Sequence, residues 1–116
     1  MSVIVLFEVT LKSGRMDDYL KLAAGLKEEL SKTEGFIGSE RFTSLAVPDK
    51  ILSKSEWCDE ESVTKWRNLA AHRMAQAGGR MNDFANYKIT VVTPLRSYTM
   101  TERSDAPEDS NKYFEI

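Results

Sequence analysis

The spacing of apolar residues constrains the fold most, because it switches repeatedly between the period of a strand and that of a helix. In residues 3–11 every second position on one face is apolar, namely Val3, Val5, Phe7, Val9 and Leu11. Ile4 and Leu6 lie on the opposite face, before Glu8 and Thr10 follow on that face. The pattern predicts a strand buried on one face throughout and on both faces near its start.

After residue 15 the apolar residues recur at steps of three and four. Charged side chains fill the other side of this segment, whose apolar positions are Met16, Tyr19, Leu20, Ala23, Leu26 and Leu30. The spacing predicts an amphipathic helix of about four to five turns. Asp17 and Asp18 in its first turn and Lys32 in its last suit the helix dipole, and Gly35 is expected to stop it.

Two alternating runs then predict a pair of strands. They cover residues 36–45 and 51–57, and the Val-Pro-Asp-Lys segment at 47–50 has the signature of a type I turn. Because the runs are close in sequence, we expect a hairpin. The two-residue period places Phe36 and Phe42 on one face of the first of these strands.

The rest of the chain predicts a second helix and a last strand. Asp59 is the expected N-cap of the helix, and Gly78-Gly79 is expected to end or kink it. Residues 87–100 predict the last strand. Pro94 marks a bulge or an edge in that strand, because proline cannot donate a ladder hydrogen bond.

The predicted order is therefore βαββαβ, which is typical of the ferredoxin-like α+β fold with one antiparallel four-stranded sheet and both helices on one face. Two helices cover only one face of such a sheet, so we expect a homodimer to cover the other. We place this domain at residues 1–101. A polar tail follows at 102–116, which we expect to dock on the partner subunit.

Composition excludes several classes of function. The chain has 116 residues, 41% hydrophobic and 29% charged, which suits one globular domain. Its net charge of −2 predicts no nucleic-acid partner, and no apolar run is long enough to predict a membrane partner. The apolar start lacks a basic region, so we predict a cytoplasmic protein. A single cysteine, Cys58, and a single histidine, His72, argue against a disulfide and a multi-histidine metal site.

Two segments resemble the antibiotic biosynthesis monooxygenase-like families of the dimeric α+β barrel superfamily. Residues 55–62 hold a tryptophan and an acidic turn, and residues 66–76 hold a tryptophan followed by a histidine. The Tyr-Lys-Ile at 87–89 and the Arg-Ser-Tyr at 96–98 are similar to the family's last strand. The resemblance covers about residues 3–100, and its specificity lies in the order of these features.

The resemblance implies a homodimer in which each subunit keeps a pocket between its sheet and its helices. Some members oxidise electron-rich aromatic molecules with O₂ and no metal or flavin. We therefore expect a cofactor-independent monooxygenase acting on a small aromatic or quinol substrate, with no cofactor. A non-catalytic small-ligand-binding or stress-related dimer is the first alternative, and a haem-binding or haem-degrading protein is the second.

Three residues are candidates for catalysis under this interpretation. His72 would deprotonate a phenol, although on an ideal helix it lies about 120° around the axis from Trp66. Arg96 and Tyr98 share one face of the predicted last strand and would stabilise the resulting anion. The structural alternatives are a hydrogen-bonded surface histidine and a surface or dimer-contact pair.

Three further residues are candidates for substrate binding. Trp66 would stack on a planar ring, with simple core filling as the alternative. Phe7 and Asn68 would also line the pocket. Phe7 occupies the first strand, where the resemblance to haem-degrading members would require a polar asparagine, and this argues against haem.

Overall fold

The computed structural model describes residues 2–76 and 83–113, without the side chains of residues 71–76 and 113. Its elements are β1 (Val3–Leu11), α1 (Met16–Lys32), β2 (Phe36–Thr43), β3 (Lys50–Trp57), α2 (Glu60–Gln76), β4 (Phe84–Val92) and α3 (Glu108–Tyr113). The strands form one antiparallel sheet in the order β2-β3-β1-β4. The predicted ferredoxin-like α+β fold is confirmed.

The ends of both long helices follow from local chemistry. The Asp59 carboxylate accepts a hydrogen bond of 2.8 Å from the backbone N–H of Ser62, which confirms the predicted N-cap of α2. Helix α1 spans the predicted residues, and Gly35 follows it with a positive φ of 87°. The predicted stop of α2 at Gly78-Gly79 lies outside the described residues.

The predicted last strand is wrong at both of its ends. Strand β4 begins at Phe84 and ends at Val92, which pairs with Ile4 near the start of β1. A strand needs a neighbour, and β1 offers none beyond that point because it begins at Val3. Pro94, which has no N–H, follows two residues after Val92. Residues 93–100 are therefore not a strand.

Two details of the β2–β3 hairpin also differ from the prediction. Asp49 has a φ of 60°, which excludes the type I turn expected there, because that turn keeps φ near −90° at this position. The pairing of β2 with β3 shifts between Phe36 and Gly38. This bulge puts Phe36 opposite Trp57 and Phe42 opposite Leu52, on different faces of the sheet.

The core lies between the sheet and the helices and consists of two separate clusters. The first, called the Tyr19 cluster, comprises buried Val9, Leu11, Tyr19 and Ile51, with Phe7, Met16, Ala23 and Phe84 packed against them. The second, called the Trp57 cluster, comprises buried Val3, Trp57 and Val63, with Val5, Leu30, Phe36 and Trp66 packed against them. The sheet surface between the two clusters is less covered.

The opposite face of the sheet mixes apolar and charged side chains. Ile4 and Leu6 on β1 and Leu52 on β3 are half-buried there, and Phe42 is 42% exposed. Charged residues alternate with them across the strands, and Lys50 lies 3.5 Å from Glu8. This is the face that we expect a second subunit to cover.

After β4 the chain folds on itself around one arginine. The Arg103 guanidinium donates hydrogen bonds to Asn111 at 2.8 Å, to Ser110 at 2.9 Å and to the carbonyl oxygen of Thr99 at 3.1 Å. None of residues 93–112 belongs to the buried core. The described region from residue 93 onward thus adds nothing to either core cluster.

Candidate functional site

The surface between the two clusters is a candidate binding site on the helix side of the sheet. Strand register aligns two rows of side chains across it, because paired residues in an antiparallel sheet share a face. We call these rows the middle band, and they contain Arg41, Ser53, Phe7 and Ile89 in one row and Ser39, Ser55, Val5 and Val91 in the next.

The middle band is polar on one half and apolar on the other. Its polar side chains come from β2 and β3, and its apolar side chains come from β1 and β4. Ile89 and Val91 are 52% and 47% exposed although they lie on the face that carries the helices. The helices therefore leave the β4 half uncovered, and an apolar ligand would remove this surface from water.

The Trp57 cluster closes one side of the middle band. Trp57 is fully buried, and its ring packs at 5.3 Å from the Phe36 ring and 6.3 Å from the Trp66 ring. Its indole N–H donates a hydrogen bond of 2.9 Å to the Ser55 hydroxyl. The only polar atom of this large side chain is thus satisfied from within the sheet.

The Tyr19 cluster borders the other side. The rings of Phe7, Phe84 and Tyr87 lie 6.0 to 6.2 Å apart, and the Tyr19 ring packs at 5.8 Å from Phe84. Burial raises the pKa of Tyr19, while the positive charge of Arg41 acts in the opposite direction. The phenol consequently stays protonated at neutral pH and can donate a hydrogen bond.

Two of the predicted site residues lie in or beside the middle band. Phe7 lies within it and forms part of the aromatic group beside the Tyr19 cluster. Trp66 packs against Trp57 at the opposite border. The structure therefore places Phe7 in the middle band and Trp66 at its border, and Trp66 is also part of the core.

The other two candidates on α2 are placed only in part. Asn68 is exposed and follows Trp66 by two residues, so it lies on the far side of the helix. His72 belongs to α2 by its backbone, and its side chain lies outside the described residues. Its predicted role as a base remains a prediction.

Arg96 and Tyr98 do not share a strand face, because no strand extends to them. Both are exposed in the segment after β4. The Tyr98 ring lies 5.1 Å beneath the guanidinium of Arg103, which places it in the self-contained C-terminal region. Neither residue belongs to a strand of the sheet, so within a single chain both lie outside the middle band.

The sequence interpretation did not single out Tyr19, Arg41 and Ser53, which the structure places in or beside the middle band. A signal was present in β3, where Ser53 and Ser55 lie between the apolar Ile51 and Trp57 on the buried face. Hydroxyl groups on such a face indicate a surface that is not fully packed. The electrostatic effect of Arg41 on Tyr19 had no signal in the sequence, because it depends on how α1 packs over the sheet.

Two negative findings hold for the described residues. They contain no group of three or more histidine, cysteine, aspartate or glutamate residues that could hold a metal ion. None of their helices is long and apolar enough to cross a membrane.

Comparison with known proteins agrees with this architecture. The antibiotic biosynthesis monooxygenase family model matches residues 2–78. The chain is 41% identical over 87 residues to a protein named jasmonate monooxygenase ABM from Pyricularia oryzae. That match covers 75% of this chain and 40% of the relative, so the chain spans well under half of that protein.

Solved structures share the fold at low sequence identity. Rv0793 from Mycobacterium tuberculosis superposes with a TM-score of 0.72 at 13% identity, over 85% of this chain and 100% of that one. SnoaB, a cofactor-independent oxygenase from Streptomyces nogalater, gives a TM-score of 0.68 at 9% identity, over 83% of this chain and 95% of that one. With the family model matched over most of the ferredoxin-like domain, the chain belongs to the antibiotic biosynthesis monooxygenase family.

Proposed function

We propose that this chain is a cofactor-independent monooxygenase that oxidises a small aromatic or quinol substrate with O₂. The observation that supports it most is the middle band, where an uncovered apolar half adjoins a half lined by hydroxyl groups and a guanidinium. Such a surface suits a planar molecule that is apolar on one side and carries oxygen atoms on the other.

The proposed reaction begins with loss of a proton from the substrate. The resulting electron-rich anion reduces O₂, one oxygen atom bonds to the substrate carbon, and the other leaves as water with two hydrogens from the substrate. His72 is the proposed base, because neutral imidazole accepts a proton near pH 7. Trp66 and Phe7 bound the ring, and a bound substrate that excludes water would let fixed dipoles stabilise the anion.

A second substrate class follows from the relative at 41% identity, whose name assigns it activity on jasmonate. Jasmonate is a small cyclic ketone with a carboxylate, so it also combines an apolar body with a polar end. A jasmonate-like acid is therefore our second candidate substrate.

Oxygen uptake tests the reaction directly. Purified protein would be incubated with hydroquinones, anthrones and jasmonic acid in the presence of a chelator. We expect uptake with at least one substrate and a loss of about 100-fold or more in His72→Ala. Arg67→Ala, an exposed residue of the same helix, is the matched control. An unchanged rate in folded His72→Ala would remove His72 from the mechanism.

The same protein distinguishes the alternatives. Ligand binding without oxygen uptake would favour a non-catalytic binding protein. Tight haem binding with a sharp Soret band that disappears in His72→Ala would favour a haem protein. Phe7 argues against that outcome, because its ring packs against Phe84 and Tyr87 and offers no polar group to haem-bound oxygen.

We also propose a homodimer in which the sheets face each other, and in which the tail at 102–116 docks on the partner. The apolar residues of the open sheet face support this arrangement, as do the exposed Leu95 and Met100 after β4. In the dimer, Arg96 and Tyr98 would act as anion partners in the neighbouring subunit's pocket. Such an interface should bury more than about 2,000 Å². Sedimentation as a stable monomer of 13.2 kDa at micromolar concentration would contradict the dimer.

A further inference from the structure

We infer that Tyr19 and Arg41 form a recognition site for a carboxylate group on the substrate, at the polar end of the middle band. The inference rests on the proposed function only in taking the middle band as the place where the substrate binds. It narrows the substrate to small monocarboxylates with an apolar ring or chain.

Tyr19 contributes a hydrogen-bond donor without a partner. The residue is only 7% exposed, yet none of the described residues forms a hydrogen bond with its hydroxyl group. Among these residues no fully buried side-chain oxygen or nitrogen lacks a partner, so the hydroxyl must still touch solvent. A nearly buried phenol whose hydroxyl has no internal partner and still touches solvent can donate a hydrogen bond to a ligand.

Arg41 contributes a positive charge that is not neutralised within the described chain. No carboxylate of the described residues lies within ion-pair distance of it. Its position opposite Ser53 puts it on the helix side of β2, and its charge acts on the Tyr19 phenol. A guanidinium and a phenol hydroxyl together offer several donors to one anionic group.

Burial and charge at this pair favour a carboxylate over a phenolate. Arg41 lies on the edge strand and is exposed, so it marks the mouth of the site rather than its interior. A carboxylate is ionised near pH 7, whereas a phenol is not. The carboxylate therefore suits the mouth of the site at Arg41, where water still screens its charge. The planar fork of the guanidinium also matches the two oxygen atoms of a carboxylate.

The row that contains Arg41 sets the size of the ligand. It runs through Ser53 and Phe7 to Ile89 on the opposite edge strand. Strands in a sheet lie about 4.8 Å apart, so three spacings separate the two ends by about 14 Å. A carboxylate at Arg41 would thus leave room for a ring or a short chain against Phe7 and Ile89.

Binding of matched acid and ester pairs tests the inference without relying on oxidation. The probes are jasmonic acid and phenylacetic acid with their methyl esters, titrated under anaerobic conditions by calorimetry. We expect the protein to bind at least one acid about tenfold or more tightly than its ester. Arg41→Ala should abolish this preference while affinity for the ester stays within about twofold. Tyr19→Phe, which keeps the buried ring, should weaken binding of the acid about threefold to tenfold.

Lys54→Ala is the matched control, because Lys54 adjoins Ser53 on β3 and faces the other side of the sheet. The Lys54→Ala variant should prefer the acid over the ester as strongly as the parent protein does. Equal binding of acids and esters, no binding of either acid, or an equal loss in Arg41→Ala and Lys54→Ala would overturn the inference. Since oxygen is absent, a failure of the proposed oxidation would leave the acid preference intact and separately visible.

Discussion

The Trp57 cluster and the Tyr19 cluster lie in the same layer between the sheet and the helices, but they differ in whether their buried polar groups are hydrogen-bonded. In the Trp57 cluster, the indole N–H of a fully buried tryptophan is bonded to Ser55. In the Tyr19 cluster, the hydroxyl of a nearly buried tyrosine has no partner among the described residues. A buried polar group without a hydrogen bond is unfavourable in a core. The Trp57 cluster therefore suits a structural role, and the Tyr19 cluster suits ligand binding.

The strongest test of the comparison is removal of the tryptophan itself. Trp57→Ala should lower the free energy of unfolding by about 3–5 kcal/mol, because the side chain is 0% exposed and leaves a cavity. Trp66→Ala, which truncates a half-buried neighbour in the same cluster, should cost clearly less. Urea denaturation measures both, and a smaller loss for Trp57→Ala than for Trp66→Ala would refute the assigned roles.

A close approach beside the Trp57 cluster gives the next largest effect. A Cβ atom at Gly35 would lie 2.6 Å from the Cβ atom of Ser62 on α2, and the φ of 87° is also unfavourable for alanine. Gly35→Ala should therefore destabilise the fold by roughly 2–4 kcal/mol.

Gly14→Ala is the matched control for this position. Gly14 has a φ of 81°, but nothing lies within 4 Å of the added Cβ atom. The Gly14→Ala variant should lose only about 1 kcal/mol of folding stability, from the unfavourable backbone conformation. Equal losses of stability for the two variants would show that the packing of Gly35 against α2 is unimportant.

A pair of single-atom deletions compares the two clusters directly. Ser55→Ala leaves the Trp57 indole N–H without an acceptor and should cost about 1–3 kcal/mol. Tyr19→Phe removes a hydroxyl that has no internal partner and should change stability by less than about 0.5 kcal/mol. A large loss in Tyr19→Phe would mean that the hydroxyl serves folding rather than ligand binding.

The smallest expected effect concerns the cap of α2 next to the Trp57 cluster. The hydrogen bond from the Ser62 N–H lowers the pKa of Asp59 below its ordinary value. A depressed pKa stabilises the fold at pH values above the unfolded pKa and stops doing so as the pH falls through the folded pKa. Asp59→Ala should therefore lower the Tm by a few degrees at pH 7.

Calorimetry across pH would check the sign of this effect. The difference in Tm between the parent protein and Asp59→Ala should shrink as the pH falls below about 4. Asp59→Asn, which can cap the helix without a charge, should lose less at pH 7 than Asp59→Ala. A difference that stays constant down to pH 2 would exclude the ionised carboxylate as the cause.

Local patterns were sufficient to predict most elements. The switch from a two-residue to a three- and four-residue period located β1 and α1, and Asp59 located the start of α2. These features depend on neighbours within one or two turns of the same segment. The apolar periodicity likewise predicted that Phe7 and Trp66 lie on buried faces, where large apolar side chains pack between the sheet and the helices.

The end of β4, the bulge before Gly38 and the electrostatic effect of Arg41 on Tyr19 were decided only in the tertiary structure. β4 stops where β1 no longer offers a partner, and the bulge moves Phe36 to the face of Trp57. The sequence by itself determined the periods, the caps and hence the ferredoxin-like order of elements, because each is settled by interactions between residues close along the chain. Which polar groups remain unpaired was decided by contacts between distant segments, because hydrogen-bond partners and burial exist only once the sheet and the helices have packed together.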